Sequence, residues 1–279
     1  MPDPARRMSQ AVEAPVTGRV TSKDGTTIVF DRYGAGPAIV LVHGAFTARG
    51  HATLAGVATA LAPWFAVFDY DRRGRGDSGD TAPYAVEREV EDLAAVIEAA
   101  GGTAMVFGGS SGAALALRAA AGNPAVSKLA LWEPPYHVDD SAPTLPPDFA
   151  EQLGTLVRTG RRGEAVSRFM VEAAEAPPEA VAAMRAQPSW PQMEALAHTL
   201  AYEAAVLGPG NALPTRVLAA VEQPTLVLNG EHSAGWMASA GLAVAAAVPG
   251  TVHRVLEGQA HNVAPEALVP ELLEFFVAG

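Results

Sequence analysis

The feature that most constrains this chain is a G-x-S-x-G pattern at residues 108–112. The preceding residues 104–107 are apolar, as in a buried strand, and the following residues 113–117 contain only Ala and Leu, which favour a helix. A strand, a sharp turn and a helix in this order form the context of a nucleophile elbow. The pattern therefore predicts Ser110 as a nucleophile with an exposed hydroxyl. The alternative interpretation is a run of small residues that only caps a helix.

Strand-like and helix-like runs alternate along most of the 279 residues. Apolar runs at 38–42 and 65–70 predict strands buried on both faces of a parallel sheet, and further strands are predicted at 128–132, 224–229 and 251–256. Alternating residues 16–33 around Asp24-Gly25 predict an antiparallel hairpin. We expect an α/β fold with a mostly parallel, twisted sheet flanked by helices. A predicted helix at 85–100 should place its apolar residues on one face and its charges on the other.

The pattern changes between residues 134 and 220, where prolines cluster and helical segments follow one another without a strand. We expect this stretch to be an inserted helical lid. Residues 16–133 and 221–279 should together form the core, and residues 1–15 a flexible tail.

Composition excludes several classes of function. The net charge of −11 argues against a nucleic-acid partner, and the absence of cysteine excludes thiolate chemistry. No apolar stretch is long enough to span a membrane, and no apolar segment follows Arg6-Arg7 as an export signal requires, so we expect a cytoplasmic protein. No spacing suggests a metal site. The G-x-G-x-x-G pattern at 74–79 lacks the directly following helix and the later acidic residue of a dinucleotide site, and we expect no cofactor.

A serine nucleophile needs a base, an orienting acid and donors for the oxyanion. His261 follows the last predicted strand and precedes the last predicted helix, which matches the chain order serine, acid, histidine. It is therefore the predicted base. Five other histidines lie in helical, lid or strand segments, where surface or packing roles are expected, namely His51, His137, His198, His232 and His253.

Four motifs in order make the chain resemble the α/β-hydrolase superfamily over nearly its full length. They are His43-Gly44 after the third predicted strand, Asp71-Arg72-Arg73-Gly74 after the fourth, the turn at Ser110, and His261. The resemblance implies the α/β-hydrolase fold with an inserted lid. It also implies an oxyanion hole made by the backbone N–H of Ser111 and one from the Gly44-Ala45 turn, with His43 ordering that turn.

One position departs from the family pattern. The usual acid follows the strand that ends near Asn229, but Ser233 stands at that position. Glu133 directly follows the strand after the elbow helix, and this placement resembles the zearalenone lactonases, which have a Glu there beside a similar elbow. Glu133 is therefore the predicted acid, with Glu231 as the alternative.

These residues together predict hydrolysis of a carboxylic ester or lactone, a small apolar molecule, through an acyl-enzyme on Ser110. Apolar substrate contacts are expected from aromatic residues, which could instead only hold the lid to the core: Phe46, Tyr136, Trp190 and Trp236. A C–C bond hydrolase, a cofactor-free haloperoxidase-like enzyme, and a non-hydrolytic binding protein or cyclase on the same fold are the alternatives.

Overall fold

A computed structural model describes residues 13–278, which are built around one eight-stranded sheet. The strands are β1 (Val16–Thr21), β2 (Thr27–Tyr33), β3 (Ala38–Val42), β4 (Ala66–Tyr70), β5 (Ala104–Gly109), β6 (Val126–Trp132), β7 (Thr225–Gly230) and β8 (Val252–Leu256). Their spatial order is β1-β2-β4-β3-β5-β6-β7-β8. The first hairpin and the β2–β4 pair are antiparallel, and every other pair is parallel. The α/β fold predicted from the alternating runs is confirmed.

Helices cover the sheet on both faces. The α-helices among the described residues are α1 (Ala52–Leu61), α2 (Val86–Ala99), α3 (Ser111–Ala120), α4 (Phe149–Arg158), α5 (Arg162–Arg168), α6 (Pro178–Arg185), α7 (Trp190–Ala195), α8 (Leu200–Leu207), α9 (Thr215–Leu218), α10 (Gly235–Ala247) and α11 (Pro265–Val277). Short turns of π-helix (Phe169–Ala173) and 3₁₀-helix (Ala197–Thr199, Pro209–Asn211) lie among them.

Strand β3 shows how the sheet separates two cores. All five of its residues are buried, and successive side chains point to opposite faces. Val40 and Val42 pack with the helices α2, α3 and α10, whereas Ile39 and Leu41 pack with α1 and α11. The continuous apolar run of β3 follows from this burial on both faces.

The helices α4 to α9 follow one another between β6 and β7 with no strand of the sheet among the described residues there. They enclose a third apolar cluster of their own, which includes Leu153, Val166, Phe169 and Leu200. This segment lies within the stretch 134–220 for which a lid was predicted, and the lid boundaries stay a prediction. Most of the predicted tail, residues 1–12, lies outside the described residues, and β1 begins at Val16.

Helix α2 differs from the prediction that its charges lie on the exposed face. Glu89 and Asp92 are almost fully buried, and they accept hydrogen bonds from the buried guanidinium groups of Arg72 and Arg73 respectively. Charges can be buried when they are paired and hydrogen-bonded. The prediction was wrong for these two residues because helical periodicity contains no information about a partner from another strand.

No helix among residues 13–278 is long and apolar enough to cross a membrane.

Candidate active site

Ser110 lies in the sharp turn between β5 and α3 with φ = 55° and ψ = −128°, a conformation that costs strain for a residue with a Cβ atom. The glycines on either side make this turn possible. A Cβ atom on Gly108 would lie 2.5 Å from the carbonyl oxygen of Gly112, and one on Gly112 would lie 2.3 Å from that of Val42. The backbone N–H of Ser110 donates to the carbonyl of Trp132 at 2.8 Å. The predicted elbow geometry is therefore present at Ser110.

Glu133 and His261 meet at the carboxyl ends of β6 and β8. The side chain of Glu133 is fully buried, whereas that of His261 is partly exposed. Nδ1 of His261 lies 2.7 Å from Oε2 of Glu133, and the backbone N–H of Gly230 donates to Oε1 at 2.8 Å. The carboxylate can only accept, so this contact favours a proton on Nδ1 and leaves Nε2 as an acceptor.

Opposing effects act on the Glu133 carboxyl. Burial alone would raise the pKa of Glu133, but the hydrogen bond from His261, the nearby hydroxyl of Ser233 and the N–H of Gly230 together lower that pKa below its ordinary value. The Ser233 hydroxyl is close enough to favour the charged form but does not reach hydrogen-bond geometry, and it has no partner among the described residues. Glu133 is therefore ionised at neutral pH.

The rival acid Glu231 lies away from the histidine. Its side chain is exposed, and Oε2 accepts a hydrogen bond from the backbone N–H of Gly258 at 2.9 Å. The structure thus brings Glu133, and not Glu231, to His261. Ser233, at the position of the usual family acid, lines the same cavity as Ser110.

The Gly44-Ala45 turn lies directly against the nucleophile, because a Cβ atom on Gly44 would be 3.0 Å from Cβ of Ser110. His43, before this turn, is buried and its Nε2 lies 2.5 Å from Oδ1 of Asp69. Ser111 is the first residue of α3, and a helix leaves the N–H groups of its first turn without intrahelical partners. Both backbone donors expected for an oxyanion hole are therefore adjacent to Ser110.

A cavity of about 710 Å³ opens over these residues and contains Ser110, His261, Gly44, Ala45 and Ser111 in its wall. Much of the remaining wall is apolar and comes from the inserted helices and from α10, and it includes Phe149, Phe169, Met170, Met193 and Met237. Two of the aromatic residues predicted to contact substrate, Phe46 and Trp236, also line it.

The other two predicted substrate contacts, Tyr136 and Trp190, lie outside this wall. Tyr136 is fully buried in the core beside α3, and Trp190 packs inside the cluster formed by the inserted helices. The indole N–H of Trp190 donates to Glu194 at 2.9 Å. An aromatic residue in the sequence predicts a buried side chain, but it does not predict whether that side chain faces a cavity or a packed core. The prediction that Tyr136 and Trp190 contact the substrate is therefore corrected, because both pack in apolar clusters outside the cavity wall.

Sequence reasoning gave no substrate role to several polar residues in the cavity wall, among them His51, Asn211 and His232. Asn211 is almost fully buried and has a positive φ of 52°. Only the unusual frequency of Asn in left-handed turns could have indicated it, and no local signal marks the two histidines.

The G-x-G-x-x-G loop at 74–79 makes hydrogen bonds with neighbouring residues of the protein itself. One carboxylate, that of Asp71, accepts from the backbone N–H of Asp77 at 2.9 Å and from that of Arg49 at 2.8 Å. Residues 13–278 contain no group of three or more His, Asp or Glu side chains that could hold a metal ion.

A family model described as alpha/beta hydrolase family matches residues 39–271 of this chain. Together with the fold and the strand–turn–helix geometry at Ser110, this match defines the class of protein. The chain belongs to the alpha/beta hydrolase family.

Solved structures show the same fold. An alpha/beta hydrolase from Sphaerobacter thermophilus is 53% identical, with a TM-score of 0.87 over 93% of this chain and 100% of the other. A hydrolase from Pseudomonas aeruginosa is 24% identical over 95% and 100% of the two chains with a TM-score of 0.74. The enol-lactonase from Burkholderia xenovorans is 19% identical over 93% and 99% with a TM-score of 0.67. A search of the curated proteins gave no match.

Proposed function

We propose that this protein is a serine hydrolase that cleaves a carboxylic ester or lactone of an apolar substrate. The observation that carries the proposal is the contact between the buried carboxylate of Glu133 and Nδ1 of His261, in a cavity whose wall also contains Ser110. In the proposed triad Ser110 is the nucleophile, His261 the base and Glu133 the acid.

The proposed reaction has two halves. The Ser110 hydroxyl attacks the acyl carbon while Nε2 of His261 takes its proton, and the backbone N–H groups of Ala45 and Ser111 stabilise the negative oxygen of the tetrahedral intermediate. The imidazolium then returns the proton to the departing alkoxide, which leaves an acyl-enzyme. Water, activated by the same histidine, releases the acid and restores Ser110.

The negative charge of the Glu133 carboxylate assists both acylation and deacylation. It is ionised and buried, so it stabilises the imidazolium formed during attack and holds the ring in the required tautomer. The Ser110 hydroxyl makes no hydrogen bond with another described residue, so it is free to turn towards the ring. Such catalytic contacts commonly shorten only when substrate is bound.

The cavity supports an apolar substrate. Its volume of about 710 Å³ is in the range of small-molecule sites, and aromatic and methionine side chains form much of its wall. An ester and a lactone present the same acyl carbon and oxygen leaving group, so both fit the proposed chemistry.

A panel of esters and macrolactones, assayed with the wild type and with Ser110→Ala, tests this proposal. Ser110→Ala should lower turnover by several orders of magnitude, whereas Ser141→Ala, which alters an exposed serine bonded to Asp139, should not. A fluorophosphonate should add to Ser110 alone, as peptide mass spectrometry would show. Full turnover by the Ser110→Ala protein, or an adduct at another residue, would refute the proposal.

A further inference from the structure

A cluster of buried charges lies beneath the Gly44-Ala45 turn, on the side away from the cavity. Its members are Arg72 and Arg75 from the loop after β4, Glu89 from α2 and Glu203 from α8. All four side chains are at most 2% exposed, so none of them can be a surface ion pair. The proposed mechanism uses none of these residues.

Arg75 binds the turn itself. Its Nη1 donates to the carbonyl of Gly44 at 2.5 Å and to that of Thr47 at 2.9 Å, and its Nη2 forms an ion pair with Glu203. Arg72 adds one contact at the start of the turn, from Nη1 to the carbonyl of His43 at 3.0 Å. Two guanidinium groups thus hold the turn through its carbonyl oxygens, and the hydroxyl of Thr47 also donates to the carbonyl of Gly44 at 3.0 Å.

These contacts determine where the oxyanion donor points. The peptide between Gly44 and Ala45 is trans, so its C=O and N–H point in opposite directions. Because Arg75 holds the C=O from below, the N–H of Ala45 is directed away from Arg75. Gly44 and Ala45 line the cavity beside Ser110, whereas Arg75 does not, so the opposite direction is the cavity side.

The guanidinium also strengthens that donor. Burial and the neighbouring Arg72 lower the pKa of Arg75 to about 9, which leaves the guanidinium protonated at neutral pH. A cation that donates to a carbonyl polarises the whole peptide group and increases the positive charge on its N–H. A preorganised donor of this kind needs no reorganisation when the oxyanion forms.

We propose that Arg75 is a positioning residue for the oxyanion hole, which aims the backbone N–H of Ala45 and is itself held by Glu203 of helix α8. This inference rests on the proposed function, since it needs an oxyanion at Ser110. Glu203 belongs to the inserted helices. In this proposal these helices therefore form part of the cavity wall and also help to position the oxyanion donor.

Arg75→Met tests the inference, with Arg73→Met as the matched control. Arg73 is equally buried and equally paired, through Asp92 and Asp24, but it does not contact the turn. Arg75→Met should lower kcat by about tenfold to a hundredfold at unchanged KM, since loss of a whole oxyanion donor costs about 10²–10³. Arg73→Met should keep kcat within about threefold while losing thermal stability. Arg75→Lys, which can donate to the same carbonyls, should recover part of the lost kcat.

A transition-state analogue separates positioning from stability. The affinity for an aryl boronic acid should fall with kcat across the Arg75 variants, and the rate of fluorophosphonate labelling at Ser110 should fall as well. If Arg75→Met does not fold, the same measurements on Arg75→Lys and Glu203→Gln decide the question. Equal losses in the Arg75 and Arg73 variants, or a loss confined to KM, would overturn the inference while leaving the Ser110 assignment intact. Failure of Ser110→Ala to abolish turnover would instead refute the proposed function.

Discussion

Oε2 of Glu133 lies 2.7 Å from Nδ1 of His261, although 128 positions separate the two residues in the sequence. One residue follows β6 and the other follows β8, with β7 between these strands. The contact passes over the end of β7, where the backbone N–H of Gly230 holds the second carboxylate oxygen. The proposed acid therefore reaches the histidine from the strand before the one that carries the usual family acid.

The first prediction concerns the identity of the acid. Glu133→Gln should lower kcat by about a thousandfold or more with little change in KM, because the amide no longer stabilises the imidazolium or its tautomer. Glu231→Gln is the control and should cost little, since Glu231 is exposed and bonds only the N–H of Gly258 among the described residues. Steady-state kinetics on any cleaved ester would check both. The reverse ranking would make Glu231 the acid.

The second prediction concerns Ser233. Its buried hydroxyl has no hydrogen-bond partner among the described residues and lies close to the carboxylate of Glu133. In the Glu133→Gln protein, Ser233→Asp should therefore restore part of the lost kcat by offering a second carboxylate to His261. In the wild type the same change should lower activity, because two like charges would share one buried site. No recovery in the folded double variant would contradict this arrangement.

The third prediction is a pH dependence of stability. The folded-state pKa of Glu133 is below its ordinary value, so the unfolded chain binds more protons in acid. The stability from this carboxylate is therefore present above the unfolded pKa and is lost as pH falls through the folded pKa. Melting temperatures between about pH 7 and pH 3 should fall less steeply for Glu133→Gln than for the wild type. Parallel curves would show that Glu133 has no such role.

The fourth prediction is a pH dependence of activity. The value of kcat/KM should be lower in acid than at neutral pH, because Nε2 of His261 must carry no proton to accept that of Ser110. The measurement is kcat/KM against pH, with circular dichroism at each pH to show that the fold persists. A flat profile while the protein stays folded would argue against His261 as the base.

The fifth prediction separates two tryptophans. Trp236→Ala should raise KM for apolar esters, because Trp236 lines the cavity. Trp190→Ala should instead lower the melting temperature with little effect on KM, because Trp190 packs in the cluster of the inserted helices, and loss of a buried aromatic ring costs about 3–5 kcal/mol. Kinetics and thermal unfolding of the two variants side by side check both statements. A raised KM in Trp190→Ala alone would reverse the assignment.

The sequence indicated much of the fold because its strongest signals are local. A continuous apolar run predicted β3 at 38–42, and the last helix, predicted to follow His261, is observed at Pro265–Val277. The elbow is also local, since Gly108 lies against the backbone of Gly112 only four positions further along the chain. The charges of α2 were misplaced because their partners, Arg72 and Arg73, follow another strand.

By itself, the sequence determined which residues could carry chemistry, since motif spacing and strand ends place Ser110, Glu133 and His261 at one edge of the sheet. Only the tertiary structure decided which carboxylate meets His261 and which aromatic residues face the cavity. Those choices depend on distances of a few ångströms between segments far apart in sequence, and no local periodicity encodes such distances. The same limit hid Arg75, whose contacts with Gly44 and Glu203 exist only once the loop after β4 and helix α8 pack together.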